Sequence, residues 1–283
     1  MTVPSHVGVV GGGRMGAGIA QVFAALGSTV VIAEAADQKA ALGRVETGLA
    51  RAHERGKLTA DPSDILARVT TVAGPADLRA ELDLVVEAVP EIPSLKVEVL
   101  SLIDRAVSAE TVIASNTSSI SIAELGAALN DPARFIGMHF FNPVPASTLV
   151  EIVRAPATSP NVVERVRGWV TLLGKTEVLV NDSPGFATSR LGVCLGLEAI
   201  RMLEEGVADA ESIDRAMELG YKHPMGPLRS TDLVGLDVRL AIAEHLASTL
   251  GERFTPPQLL RDRVARGEIG RKSGKGFYDW ESK

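Results

Sequence analysis

The sequence predicts an α/β fold with a mostly parallel sheet, followed by an all-α C-terminal domain. In the first half, short apolar runs alternate with segments of helical spacing, which calls for crossover helices between strands running the same way. After the turn-rich stretch Asn181-Asp-Ser-Pro-Gly185 nearly everything reads as helix. The boundary is therefore placed near Ser183, giving domains of residues 1–183 and 184–283, and a cleft between them is the expected site. Val7 to Val10 is a short β-branched strand, Ala17 to Leu26 a helix of small and apolar residues, and Thr29 to Ile32 a second strand. Leu82 to Val89 is a continuous apolar run, the mark of a strand buried on both faces. Leu95, Val99, Leu102 and Ile103 then recur at helical spacing, which assigns Lys96, Glu98, Asp104 and Arg105 to the wet side. Thr111 to Ser115, Phe135 to Phe140, Leu149 to Val153 and Glu177 to Val180 are further strands. Leu191 to Glu205, Ala210 to Leu219 and Val238 to Leu250 are the helices of the second half.

Composition narrows the function. The 283 residues carry 29 basic and 35 acidic side chains, a net charge of −6, which argues against a nucleic-acid partner. Hydrophobic residues at 46% and charged residues at 23% suit a chain that buries a core. The single cysteine, Cys194, cannot form an internal disulfide, so a cytoplasmic location is expected. An apolar strand begins at Val7, which leaves no room for a basic targeting segment. Met15 to Ala33 is uncharged over nineteen residues, close to the length of a membrane span, but Gly27-Ser28 splits it into a helix and a strand. No membrane partner is expected.

Gly11-Gly12-Gly13-Arg14-Met15-Gly16 matches G-x-G-x-x-G directly after a strand and at the opening of a helix. Gly11 permits the tight turn, Gly13 lets backbone approach a pyrophosphate, and Gly16 lets the helix pack against the strand. The first-turn N–H groups around Arg14 and Met15 would face the phosphates with the helix dipole behind them. Glu34, eighteen residues after Gly16, is placed to accept both ribose hydroxyls and to repel a 2′-phosphate, which favours NAD over NADP. Together these features indicate a Rossmann-type, dinucleotide-binding first domain. No metal-ligand pattern is present.

Hydride transfer needs a base for the alcohol proton. Of five histidines, His6, His53, His223 and His245 fit structural or surface roles, whereas His139 ends an apolar strand, where such sheets line their ligand crevice. Pro143 and Pro145 turn the chain, which returns as Leu149-Val-Glu151-Ile-Val. Glu151 is a charge inside an apolar strand and needs a partner. His139 is the nearest, and a His–Glu pair would fix the imidazole tautomer and stabilise the cation formed on proton uptake. The cluster Ser115-Asn-Thr-Ser118-Ser119 reads either as an ordinary loop and helix cap or as a hydroxyl that meets the substrate oxygen opposite His139.

With these residues in hand, the chain resembles the 3-hydroxyacyl-CoA dehydrogenase family, in its short bacterial 3-hydroxybutyryl-CoA dehydrogenase type. The resemblance runs nearly end to end through GGGRMGAGIAQVFA, VVEAVPE, SNTSSISI, GMHFFNPVP, LVEIV, DSPGF and GRKSGKGFYDW. It implies NAD-linked oxidation of an (S)-3-hydroxyacyl-CoA, or the reverse reduction. His139 would be the base, Glu151 the acid that orients it, and Ser118 the hydroxyl at the substrate oxygen and nicotinamide. It further implies NAD contacts from Glu34, Glu91, Lys96, Asn142 and Lys272, and coenzyme A phosphate contacts from a basic helix carrying Arg51, Arg55 and Lys57. Ser189 stands where the family commonly has an asparagine holding substrate and histidine. It implies, too, a homodimer formed through apolar faces of the helical domain such as Leu195, Ile200 and Leu203. A dehydrogenase of a free hydroxy acid or sugar acid, and a noncatalytic nucleotide-binding relative, are the alternative readings.

Overall fold

The run His6–Val10 extends as β1 with every residue but His6 buried, since valine suits a strand covered on both faces. The glycine turn opens α1 (Arg14–Leu26), which turns Ala17, Ile19, Ala20, Phe23 and Ala24 inward and ends at Gly27, φ +111°, a left-handed conformation open to glycine without strain. There follow β2 (Thr29–Ala33), α2 (Gln38–Glu54), α3 (Pro62–Leu66), β3 (Val69–Val72), β4 (Leu84–Glu87), α4 (Pro93–Ala106) and β5 (Val112–Ser115). Next come α5 (Ile122–Gly126), β6 (Phe135–Phe140), β7 (Leu149–Arg154), α6 (Pro160–Leu172) and β8 (Thr176–Asn181).

The protein, seen in a computed structural model that describes residues 2–280, divides into two compact units that meet between Ser183 and Pro184. In the first unit the eight strands form one sheet in the order β3-β2-β1-β4-β5-β6-β7-β8. Every pair is parallel except β6 with β7. The order reverses between β1 and β4, and the carboxyl ends of the strands flanking such a reversal form the ligand crevice of open α/β sheets. The core joins α1, α2 and α6 to the sheet through Phe23, Leu49, Ile32, Val86, Ile136 and Trp169, among others.

Several sequence expectations shift here. The apolar run from Leu82 to Val89 is a strand only from Leu84 to Glu87; just before it, the Asp83 side chain accepts the N–H groups of Ser5 and His6. The α4 face is rotated from the expected one: Lys96, Val99, Leu100, Ile103 and Asp104 are buried. Both charges were assigned to solvent, and both are held inside by partners, Lys96 by Glu87 and Asp104 by Arg134. The basic helix stops at Glu54, with Arg55 as its cap and Lys57 beyond it. β3 and α6 are elements the apolar pattern did not single out.

The second unit contains α7 (Thr188–Glu204), α8 (Ala210–Gly220), α9 (Pro227–Val234), α10 (Leu236–Leu250) and α11 (Gln258–Ala265). Its core joins Val193, Leu197, Ile200, Leu228, Leu236 and Leu246. Ile200, expected on an outer pairing face, is therefore a core residue of its own unit. The terminal aromatic motif is bound to α9 by one buried acid: Asp232 accepts from the Phe277 and Tyr278 N–H groups and from the Trp280 indole. Among the described residues no helix is long and apolar enough to cross a membrane.

Candidate active site

The glycine turn joins β1 to α1 with no space to spare at three of its positions. A Cβ on Gly11 (φ +99°) would lie 2.8 Å from the Ala88 carbonyl oxygen, one on Gly12 2.4 Å from the Ala41 Cβ, and one on Gly16 1.8 Å from the Gly11 oxygen. Around Gly13, by contrast, no heavy atom falls within 4 Å of the Cβ position. That opening stands before the first turn of α1, whose Arg14 and Met15 N–H groups have no acceptor within the helix. This is the donor set a pyrophosphate needs. Glu34, at the end of β2, accepts from Gly12 N–H at 2.7 Å and from Ala36 N–H at 2.8 Å. Burial pushes its carboxyl up, but the Ala36 and Gly12 amides and the Arg44 charge outweigh this and hold it below the ordinary carboxylate value. An ionised acid beside the turn fits a ribose diol, and with the open Gly13 cradle it makes the residues present suited to NAD.

His139 and Glu151 are direct partners across the one antiparallel pair, β6 with β7. The imidazole Nδ1 lies 2.9 Å from Glu151 Oε2, with the two side chains 9% and 0% exposed. Side chains directly opposite in such a ladder lie on the same face, so the hairpin itself sets this contact. The Phe141 ring packs against the imidazole at 4.3 Å between centroids, tilted by 44°. Beyond it the Asn142–Pro143 peptide is cis. Lys175, 9% exposed, donates to the Val144 oxygen at 2.7 Å and to the Ser147 oxygen, closing the turn that follows His139. Burial pushes its ammonium down from the usual lysine value.

The loop from Ser115 to Ser119, after β5, is gathered by Glu91. Its Oε1 accepts from Thr117 Oγ1 at 2.6 Å, from Ser118 N–H at 2.8 Å and from Ser118 Oγ at 3.2 Å. Burial pushes the Glu91 carboxyl up, but the Lys96 charge and the Thr117 and Ser118 donors outweigh it and hold it low. Asn116 Oδ1 accepts the Phe140 N–H at 2.8 Å, tying the same loop to the strand that carries His139. Thus Glu34, Ser118 and His139 all stand at or just past the carboxyl ends of β2, β5 and β6, the edge where the glycine turn also lies. Sequence reasoning missed Asn116, Lys175 and Glu87; each is a polar residue within or beside an apolar segment, the signal that did single out Glu151.

Residues 6–183 match the NAD-binding domain of 3-hydroxyacyl-CoA dehydrogenase, and residues 185–280 match its C-terminal domain. The chain belongs to the 3-hydroxyacyl-CoA dehydrogenase family. It is 44% identical over 276 residues to a probable 3-hydroxybutyryl-CoA dehydrogenase of Deinococcus radiodurans, covering 96% of this chain and 99% of that protein. It is 42% identical to the 3-hydroxybutyryl-CoA dehydrogenase of Mycobacterium tuberculosis, with 97% and 98% covered. The crystal structure of (S)-3-hydroxybutyryl-CoA dehydrogenase from Ralstonia eutropha aligns with a TM-score of 0.93 at 42% identity, over 99% of this chain and all of that one. The dehydrogenase family's NAD-binding domain makes NAD the cofactor of the first unit.

The other expected site residues are spread over both units. Lys96 is 1% exposed, its ammonium enclosed by Glu87, Glu91 and the Val89 oxygen. Asn142 is exposed at the turn after β6. Arg51, Arg55 and Lys57 are exposed, and none forms an ion pair among the described residues. Ser189 lies in the first turn of α7. Lys272 is half exposed and pairs with Asp237 at 2.6 Å. No cluster of metal-ligating side chains occurs among the described residues.

Proposed function

We propose that the chain interconverts an (S)-3-hydroxyacyl-CoA, with a short acyl group such as 3-hydroxybutyryl, and the 3-oxoacyl-CoA. The observation that carries this is the enclosed His139–Glu151 pair, 2.9 Å apart, on the sheet edge that also bears the dinucleotide turn. The glycine turn and Glu34 would hold NAD, which would supply the acceptor for the C3 hydride. In the tautomer with Nδ1–H donated to Glu151, Nε2 of His139 is the proton acceptor for the C3 hydroxyl. The Glu151 carboxylate stabilises the imidazolium that results without itself taking the proton. Ser118, anchored by the bond from its own N–H to Glu91, turns its single hydroxyl hydrogen from Glu91 to the C3 oxygen. Reduction runs the same transfers backwards, with the imidazolium as acid.

The exposed cations Arg51, Arg55 and Lys57, which form no ion pair among the described residues, are matched to coenzyme A phosphates and favour an acyl-CoA over a free hydroxy acid. Asn142 and Lys96 take part as cofactor-side residues in this reading, and Ser189 and Lys272 keep the roles the family resemblance gives them. Two copies of the chain pair through the second unit, where Leu191 is 70%, Val234 47% and Val238 40% exposed, apolar side chains that a second copy would cover. The deciding experiment follows NADH consumption with acetoacetyl-CoA in the wild type and in His139→Gln. The variant should lose turnover by about a thousandfold and still bind NADH. Loss of NADH binding, or retained turnover, would make His139 a structural residue.

A further inference from the structure

Glu87 has no part in the chemistry above, yet it is 0% exposed at the end of an otherwise apolar strand. A carboxylate so enclosed requires a cation and further donors. Lys96, 1% exposed, meets both its oxygens at 2.7 and 3.0 Å. The same ammonium lies 3.3 Å from Oε2 of Glu91, the acid whose other oxygen collects Thr117 and Ser118. One cation therefore joins a buried acid to the acid that holds the substrate-side hydroxyl. The loop is reached from its other end as well: Ser115 Oγ donates to Glu87 Oε2 at 2.6 Å, and Thr117 N–H donates to Ser115 Oγ at 3.3 Å.

We propose that Glu87 is a positioning residue, fixing the Ser118 hydroxyl through Lys96 and Glu91 on one side and through Ser115 on the other. The proposal rests on the dehydrogenase reading and adds a residue to its machinery. Stabilisation alone gives no reason for this arrangement, since apolar residues of similar volume often serve a buried ion pair's structural role as well or better. The arrangement makes sense as a balance. Glu87 draws the ammonium inward, so that Glu91 is held by one oxygen and leaves the other to the loop. Without the Glu87 charge, Glu91 becomes the remaining carboxylate beside Lys96 among the described residues. The ammonium then draws it away from Thr117 and Ser118.

The test compares Glu87→Gln, Ser118→Ala and the double variant in the full-length enzyme, with acetoacetyl-CoA and NADH. Glu87→Gln should lower kcat about tenfold, as small misplacements of a reacting group do, with KM for acetoacetyl-CoA within about twofold. In the double variant the Glu87 substitution should cost nothing further, the mark of residues acting through one another. Multiplied losses in the double variant, or a lowered Tm with kcat intact, would reduce Glu87 to a structural charge. If Glu87→Gln yields no folded enzyme, Glu87→Asp keeps the charge but draws it back by one methylene, and the same comparison decides. A wild type that consumes no NADH with acetoacetyl-CoA would defeat the dehydrogenase reading itself. Normal wild-type turnover with an unaffected Glu87→Gln defeats this proposal alone.

Discussion

On the proposed reading, Glu34 is the side chain that chooses between two cofactors. Its carboxylate is held by the Gly12 and Ala36 amides, and Arg44 beside it donates to the Gly12 oxygen at 3.0 Å. The acid thus both prepares the turn for a ribose diol and offsets the nearest cation. Glu34→Ala removes the acceptor and leaves Arg44 unopposed, so the preference for NADH over NADPH should fall by about tenfold or more, the equivalent of one charged hydrogen bond. Steady-state kinetics with both cofactors checks this, and an unchanged ratio would remove Glu34 from cofactor choice. At this scale two signals in the sequence mattered: His139 stood out because it ends an apolar strand, and Glu151 because a charge broke an apolar pattern beside it. Glu87 carries the same signal within LDLVVEAV, but the run was read whole as apolar. Lys96 was lost for another reason, since helical spacing says which residues share a face but not which face meets the sheet.

Among the elements, α4 is the one most dependent on charge. It is pinned near its start by Lys96 against Glu87 and Glu91, and near its end by Asp104. Asp104 pairs with Arg134 Nη2 at 2.5 Å and accepts from the Asn130 amide at 2.6 Å. Burial pushes the Asp104 carboxyl up, but the Asn130 amide and the Arg134 guanidinium outweigh it and hold it below its ordinary value of 3.8. Glu91 is likewise held below 4.5. A carboxylate with a depressed folded-state pKa contributes stability above its unfolded pKa and loses it as pH falls through the folded one. The stability against thermal unfolding should therefore fall below about pH 4, near where unfolded carboxyl groups titrate. Asp104→Asn should cost roughly 3 kcal/mol or more at neutral pH, by stranding Arg134, and should flatten part of the acid loss. An acid slope equal to the wild type's would exclude Asp104 from it. Strands that read as apolar runs, such as β1 and β6, were legible from sequence. β3, a four-residue strand with two threonines at its centre, was not, because its apolar signal is too short to stand out.

For the whole molecule, the division near Ser183 is plain both in the chain's change of pattern and in its contacts. The proposed pairing of two copies is not. Of the residues expected at that surface, Ile200 is enclosed in its own unit and Leu195 and Leu203 are half-buried; the apolar side chains left exposed include Leu191, Val234 and Val238 instead. A helical pattern shows that apolar faces exist but does not say which of two is taken by the chain itself. Sedimentation equilibrium at micromolar concentration should return twice the chain mass of 29.8 kDa. Val238→Asp should shift it toward a single copy while leaving the fold intact. A wild type at one chain mass would end the pairing proposal.

The pairing of His139 with Glu151 joins residues 12 apart, Lys96 with Glu87 residues 9 apart, and Ser118 with Glu91 residues 27 apart. Each contact of the proposed centre is therefore short in chain length, and loop closure over such spans costs little. The contacts also follow one another along the chain: the glycine turn with Glu34, the buried acids with Lys96 and the serine loop, and last the imidazole with its carboxylate. All of these residues precede Ser183, so the second unit contributes no side chain to these particular contacts.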